Sequence, residues 1–332
     1  MIEINETVIK VDNQNELRTY LLITKKLTLH VSNYGASIID IQTPDKDDCW
    51  GSIIVNYPQA TDYLKTRSFL GASVGRVAGR IKNGCWGEIQ LEQNEEINHL
   101  HGGTIGFDNV FWESTMTSDA SSTSIIFSKV FPDSQGGYPG NLEMTITYTV
   151  KLDGTLTITF NGISDQVTLL NPTNHVYFNL SAGMESTIYT HDLSIGSNYF
   201  LPLDTQHLPT GELYFKKYLT ENQENLGSIL SLTNQHILLE DGLNHPFVLN
   251  KNTTSNVILS HKNSGRKVEI TTSYPCAVCY TGNHFNDEKF KKYCGVAIEC
   301  QNFPDVDRLR YFGTNRLAEN TIYREVIHYK FY

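Results

Sequence analysis

Apolar and polar residues alternate most regularly between residues 144 and 160. Met144, Ile146, Tyr148, Val150 and Leu152 share one parity, and Thr145, Thr147, Thr149 and Lys151 share the other. A period of two puts the first set on a buried face of a strand and the second on its opposite face. Asp153-Gly154 then suits a two-residue type I′ turn, and Leu156, Ile158 and Phe160 resume the apolar face, which predicts a hairpin. Shorter runs of the same kind precede it. Leu27–Val31 and Ile38–Ile41 are β-branched or alternating and are separated by Asn33-Tyr34-Gly35, residues suited to a turn with positive φ. Only three windows, near residues 59–66, 219–230 and 286–293, read as short helices. The pattern predicts a mainly β chain, and with no shift in composition and no linker, residues 1–332 read as a single domain.

Composition narrows the partner. The 332 residues are 39% hydrophobic and 19% charged, enough to bury a large core. A formal net charge of −10 argues against nucleic acid and against an anionic membrane, both of which need clustered Lys and Arg, and favours a neutral small molecule. No apolar run has the length of a membrane span or signal peptide, so a cytoplasmic location is expected. The six cysteines read as free, buried thiols. Cys276 and Cys279 have the spacing of half a zinc site, but no second such pair completes four ligands.

Several stretches carry candidate chemistry. In Asn171–Leu180, NPTNHVYFNL, His175 stands where a loop enters a strand of Val176, Tyr177 and Phe178. It is either a proton-transfer group near neutral pH or a core histidine bonded to a carbonyl. Gly71–Arg80, GASVGRVAGR, lacks the GK[ST] ending of a phosphate loop; its Arg76 and Arg80 are exposed, paired or functional. His99 and His101 lie two apart and would face one side of an extended segment, suiting a metal or a polyol. The nearby Phe107, Phe111 and Trp112 offer flat faces to a sugar ring or belong to the core. Glu299 ends the small-apolar run Val296-Ala297-Ile298, either as a salt-bridged structural acid or as a functional one held partly desolvated.

Taken in order, GRVAGR, NHLHGG with GFDNVFW, GYPGN, NPTNHVYFNL, LPTGE, YTGN and the E-x-Q-x-x-P-D sequence at Glu299–Asp305 resemble the aldose 1-epimerase (galactose mutarotase) family. The resemblance runs from about Gly35 to the C-terminus. It implies a single β-supersandwich of twisted antiparallel sheets with a sugar cleft, no metal and no organic cofactor. It also implies anomer interconversion by ring opening and reclosure, with Glu299 as base and His175 as acid. Arg80 and His101 match residues that contact the sugar, and Tyr177 falls within the same block as His175.

Three positions depart from the family's pattern. Gly79 stands where an asparagine is usual, Asn244 replaces an aspartate, and Val278 replaces a glutamine. All three positions normally touch sugar hydroxyls, so the reaction class is better defined than the sugar. Asp241, three residues from Asn244, is a candidate to supply the missing carboxylate. An amide at 244 is expected to hold a hydroxyl less tightly than a carboxylate. Two rival functions belong beside this one. A hexose-6-phosphate 1-epimerase needs additional arginines around these blocks, and none is present; a carbohydrate-binding protein without turnover is permitted by the three changes but not suggested by the retained Glu299 and His175.

Overall fold

Every ladder between strands of four or more residues is antiparallel, and three sheets carry the architecture. The computed structural model describes residues 2–65, 67–251, 253–286, 289–309 and 311–332. A five-stranded meander covers Glu3 to Ser52 in simple sequential order. The eight-stranded sheet holds the predicted hairpin as Leu142–Lys151 and Leu156–Ser164, with Ile146 opposite Phe160 and Tyr148 opposite Ile158. The C-terminal strand Tyr323–Phe331 pairs next to it and joins the halves of that sheet.

The alternation does what the period predicted. Met144, Ile146, Tyr148, Val150, Leu156, Ile158 and Phe160 are buried in a cluster that draws on residues from Ile2 to Phe331. Leu152 lies past the end of its strand and is exposed. The arrangement is a β-supersandwich of antiparallel sheets, the fold class expected from the sequence.

The third sheet positions the chemistry. Its six strands run in the order Tyr177–Phe178, Val296–Gln301, Cys276–Tyr280, Asn244–Leu249, Ser197–Phe200 and Tyr214–Phe215. Val296–Gln301 is buried along its whole length, as a central strand with both faces covered must be.

The helical windows fared unevenly. Residues 59–66 contain a short 3₁₀ turn, Ala60–Leu64, with Thr66 outside the described residues. Residues 219–230 hold the end of one helix, Lys217–Thr220, and the whole of another, Leu226–Leu230, separated by Glu221 and Asn222 at positive φ. The described part of 286–293 has an isolated bridge, Asn286 to Lys291, instead of a helix; Asp287 and Glu288 lie outside it. Two helices escape the pattern, Gln235–Glu240, capped by the Asn234 side chain, and Val306–Leu309.

Among the described residues no cysteine is in a disulfide, but only Cys276, Cys279 and Cys300 are buried; Cys49 and Cys85 are exposed. Cys276 and Cys279 point to opposite faces of one strand, into separate apolar clusters, and burial raises both thiol pKa values. Among the described residues, no helix is long and apolar enough to cross a membrane.

Candidate active site

A cleft of about 540 Å³ opens over the six-stranded sheet. His175 and Glu299 meet in it, with His175 Nε2 3.3 Å from Glu299 Oε1 and their side chains only 4% and 6% exposed. Register explains the meeting. Tyr177 lies opposite Ala297 on neighbouring antiparallel strands, so the chain just before Tyr177 runs past Glu299. The backbone of His175 is held by Gly71 and Ala72, its carbonyl accepting from the Gly71 N–H at 2.9 Å and its own N–H donating to Ala72 O at 2.9 Å.

Burial governs the charges of this pair. It pushes Glu299 up to about 8, against the pull of Arg80, and pushes His175 down to about 4. Near neutral pH the two groups together hold one proton. That proton rests on Glu299, whose carboxyl stands 3.3 Å from His175 Nε2.

His101 and Arg80 complete this end. The paired segments His99–Leu100 and Arg80–Ile81 carry them. His101 takes φ 51°, which breaks the extended run, so His99 and His101 do not share a side as their spacing suggested. His99 is buried between Glu92 O (2.6 Å) and the Tyr138 hydroxyl (2.6 Å), while His101 turns into the cleft. The Gly79 N–H donates to His101 Nδ1 at 3.2 Å, which leaves the ring's proton on Nε2. Burial, then the nearby His175, drives the His101 pKa well down. Donor atoms of His101, His175 and Glu299 lie within 4.8 Å of one another, a set with the chemistry to ligate a divalent cation as well as to move protons.

Arg76 and Arg80 part ways. Arg76 is buried, with its guanidinium donating to the carbonyls of Phe131, Pro132, Pro139 and Gly140 and to Thr168. Arg80 lines the cleft in a two-pronged pair with Glu95, both contacts 2.6 Å.

The rest of the predicted set divides in the same way. Tyr177, Val278, Gly79 and Asn244 all line the cleft, with Val278 directly opposite Glu299 and Asn244 opposite Tyr280 on adjacent strands. Asp241 does not. It caps the helix Gln235–Glu240 at φ 52°, is exposed, and pairs with Lys292, so it is no substitute for a cleft carboxylate. Phe107 and Trp112 are core residues packed against Phe131, and Phe111 packs on Tyr34, so the flat-face alternative for these three is withdrawn.

Three features in or behind the cleft wall were not foreseen. Phe69, at φ 57°, lies with its ring 4.8 Å from that of His101 and 6.1 Å from that of His175. Glu240, fully buried, accepts from the Asn244 amide (2.9 Å) and from His207 Nδ1 (2.9 Å). Gln301 lines the cleft beside Glu299. The glutamine stood in a quoted motif, but nothing local marked Phe69 or Glu240.

A histidine and a carboxyl 3.3 Å apart on the floor of an open cleft, with Tyr177, Tyr280 and Phe69 as ring-shaped walls, make a site suited to proton transfer on a polyhydroxylated ring. Residues 18–330 match the family described as aldose 1-epimerase, and the chain belongs to that family and to its isomerases. It is 31% identical to galactose mutarotase from Rattus norvegicus, over 94% of this chain and 93% of that one. It is 30% identical to maltose epimerase from Levilactobacillus brevis, over 99% of both. The crystal structure of galactose 1-epimerase from Lactobacillus acidophilus superposes with a TM-score of 0.90 at 28% identity, covering 100% of this chain and 99% of that one.

Proposed function

We propose that Glu299 and His175 interconvert the α and β anomers of a free aldose in this cleft. The carrying observation is their 3.3 Å contact at the cleft floor. Ring opening removes the proton of the anomeric hydroxyl and delivers one to the ring oxygen. Those two oxygens share one carbon, so the base and the acid must converge on a single edge of the sugar, as these two side chains do. In the working state Glu299 takes the hydroxyl proton and His175, having received the shared proton, gives it to the ring oxygen. The aldehyde rotates about its bond to the next carbon, and closure on the other face runs the transfers backwards. His101, donating from Nε2, and Arg80, held by Glu95, support the oxygen that gains charge.

The cleft's cations favour a free sugar over a sugar phosphate. Arg80 is the one Arg or Lys among the described cleft-lining residues, and Glu95 already occupies it. The acidic net charge and the free thiols support action in the cytoplasm.

Polarimetry of freshly dissolved α-glucose, α-galactose and α-maltose, with and without the protein and with EDTA, tests the proposal. At least one sugar should equilibrate faster at a rate the chelator leaves unchanged. No acceleration of any aldose, or loss in EDTA restored by zinc, overturns it.

A further inference from the structure

Gln301 is fully buried, and among the described residues neither its Nε2 nor its Oε1 has a hydrogen-bond partner. A buried amide without partners costs about 1–3 kcal/mol, so its persistence calls for something that the fold alone does not supply. Its position says what. Gln301 lies two residues after Glu299 on one strand, so both side chains leave the same face, about 7 Å apart along the strand. Both line the cleft.

The amide is sealed from water at the cleft floor. Directly across the strand pair stands Cys276, and diagonally across, opposite Glu299, stands Val278, whose side chain offers no hydrogen bond. On the far side is Gly79, at φ 76°; a Cβ there would lie 3.6 Å from Gln301 Nε2 and 3.2 Å from Pro304 Cβ. Without a side chain, Gly79 packs beside the amide and adds no further cover to it.

We propose that Gln301 is a specificity-determining residue whose amide accepts from one and donates to the other of the hydroxyls on C2 and C3 of the sugar. The inference rests on the proposed anomer interconversion, which places C1 at Glu299 and its neighbouring carbons along the strand. An amide carries one acceptor and two donors, which matches two adjacent hydroxyls. The substrates are therefore aldoses with both hydroxyls free, glucose and galactose alike, and not their 2-deoxy, 3-deoxy or 2-acetamido counterparts.

The test is Gln301→Leu in the full-length protein, with KM and kcat measured for glucose, galactose, 2-deoxyglucose and 3-deoxyglucose, alongside the melting temperature. KM for the two parent hexoses should rise about 5- to 100-fold with kcat within about threefold. KM for each deoxy sugar should change much less. The melting temperature should hold or rise, since an unpaired amide leaves the interior. Gln301→Asn should keep part of the discrimination. An equal KM change for parent and deoxy sugars, a loss confined to kcat, or a fallen melting temperature with KM unmoved would each overturn the proposal in favour of a positioning or packing role. A wild type that turns over no aldose would instead overturn the proposed function, and calorimetric binding of the same four sugars to wild type and variant would then decide Gln301 separately.

Discussion

Two histidine–carboxylate pairs share one cleft and behave in opposite ways. At His175–Glu299 the contact is 3.3 Å, both side chains are almost wholly buried, and burial pushes each group toward its neutral form. At His207–Glu240 the contact is 2.9 Å and His207 is 33% exposed. Burial would raise Glu240, yet bonds from His207 and Asn244 outweigh it and hold the carboxyl below its ordinary value. The bond from Glu240 raises His207 in turn. The same two residue types thus form a proton reservoir in one place and a fixed ion pair in the other. What differs is hydrogen bonding to the charged form, supplied at Glu240 by two donors and withheld at Glu299.

If the first pair is the proton relay, removing either member should have the largest effect. Glu299→Gln and His175→Asn are each expected to lower kcat about 10²–10⁴-fold with the fold retained, and the double variant should lose less than the product. Circular dichroism alongside the rates checks this, and near-normal turnover in either single variant would assign the relay elsewhere.

The pH profile comes next. The relay works while the pair holds one proton. Below about 4 both groups are protonated and no base remains; above about 8 neither is, and no acid remains. Between these limits kcat/KM should form a plateau, falling about tenfold per pH unit outside it. His207→Ala should leave both limits in place, because its pair takes no part in the transfers.

Breaking the second pair should alter binding more than chemistry. Glu240→Gln is expected to raise KM about 5- to 30-fold with kcat within a few-fold, since it loosens His207 and Asn244 together. Asn244→Asp sharpens the point. From sequence, a carboxylate at 244 promised tighter hexose binding, but the Asn244 amide already donates to Glu240, and a second carboxylate there would face the first. The substitution should therefore weaken binding by about fivefold, and Glu240→Gln in the same chain should recover part of it.

The smallest expected effect lies outside the cleft. His191 is buried against His261, their rings stacked 4.7 Å apart, and burial with that neighbour lowers its pKa to about 4. The unfolded chain binds the proton between about 6.5 and 4 while the folded one does not, so stability falls as pH drops through that window. His191→Asn should flatten this acid slope by on the order of 1–3 kcal/mol, read from denaturant unfolding at pH 7 and pH 4.5.

The hairpin at 142–164 was legible because period two and an Asp-Gly turn are local properties. His175 and Glu299 were singled out only through the family's motifs; by itself His175 read equally as a core histidine, and Glu299 read more readily as a salt-bridged structural acid. Glu240 was illegible because its role depends on a helix cap bringing it beneath Asn244, and Asp241, its neighbour, looked equivalent on paper. One residue further along a helix end reverses the direction of a side chain, and no spacing rule conveys that. The two arginines of the glycine-rich stretch posed the same problem, since only tertiary contacts separate Arg76 from Arg80.

Arg76 also bears on how the cleft is held. Its five acceptors lie 55 to 92 residues further along the chain, at Phe131, the end of the strand Ser122–Phe131, at Pro132, Pro139 and Gly140, and at Thr168. Arg76 thus ties the glycine-rich segment that bears Gly79 and Arg80 to carbonyls far along the chain, so the placing of the cleft's cation depends on contacts made well outside the cleft.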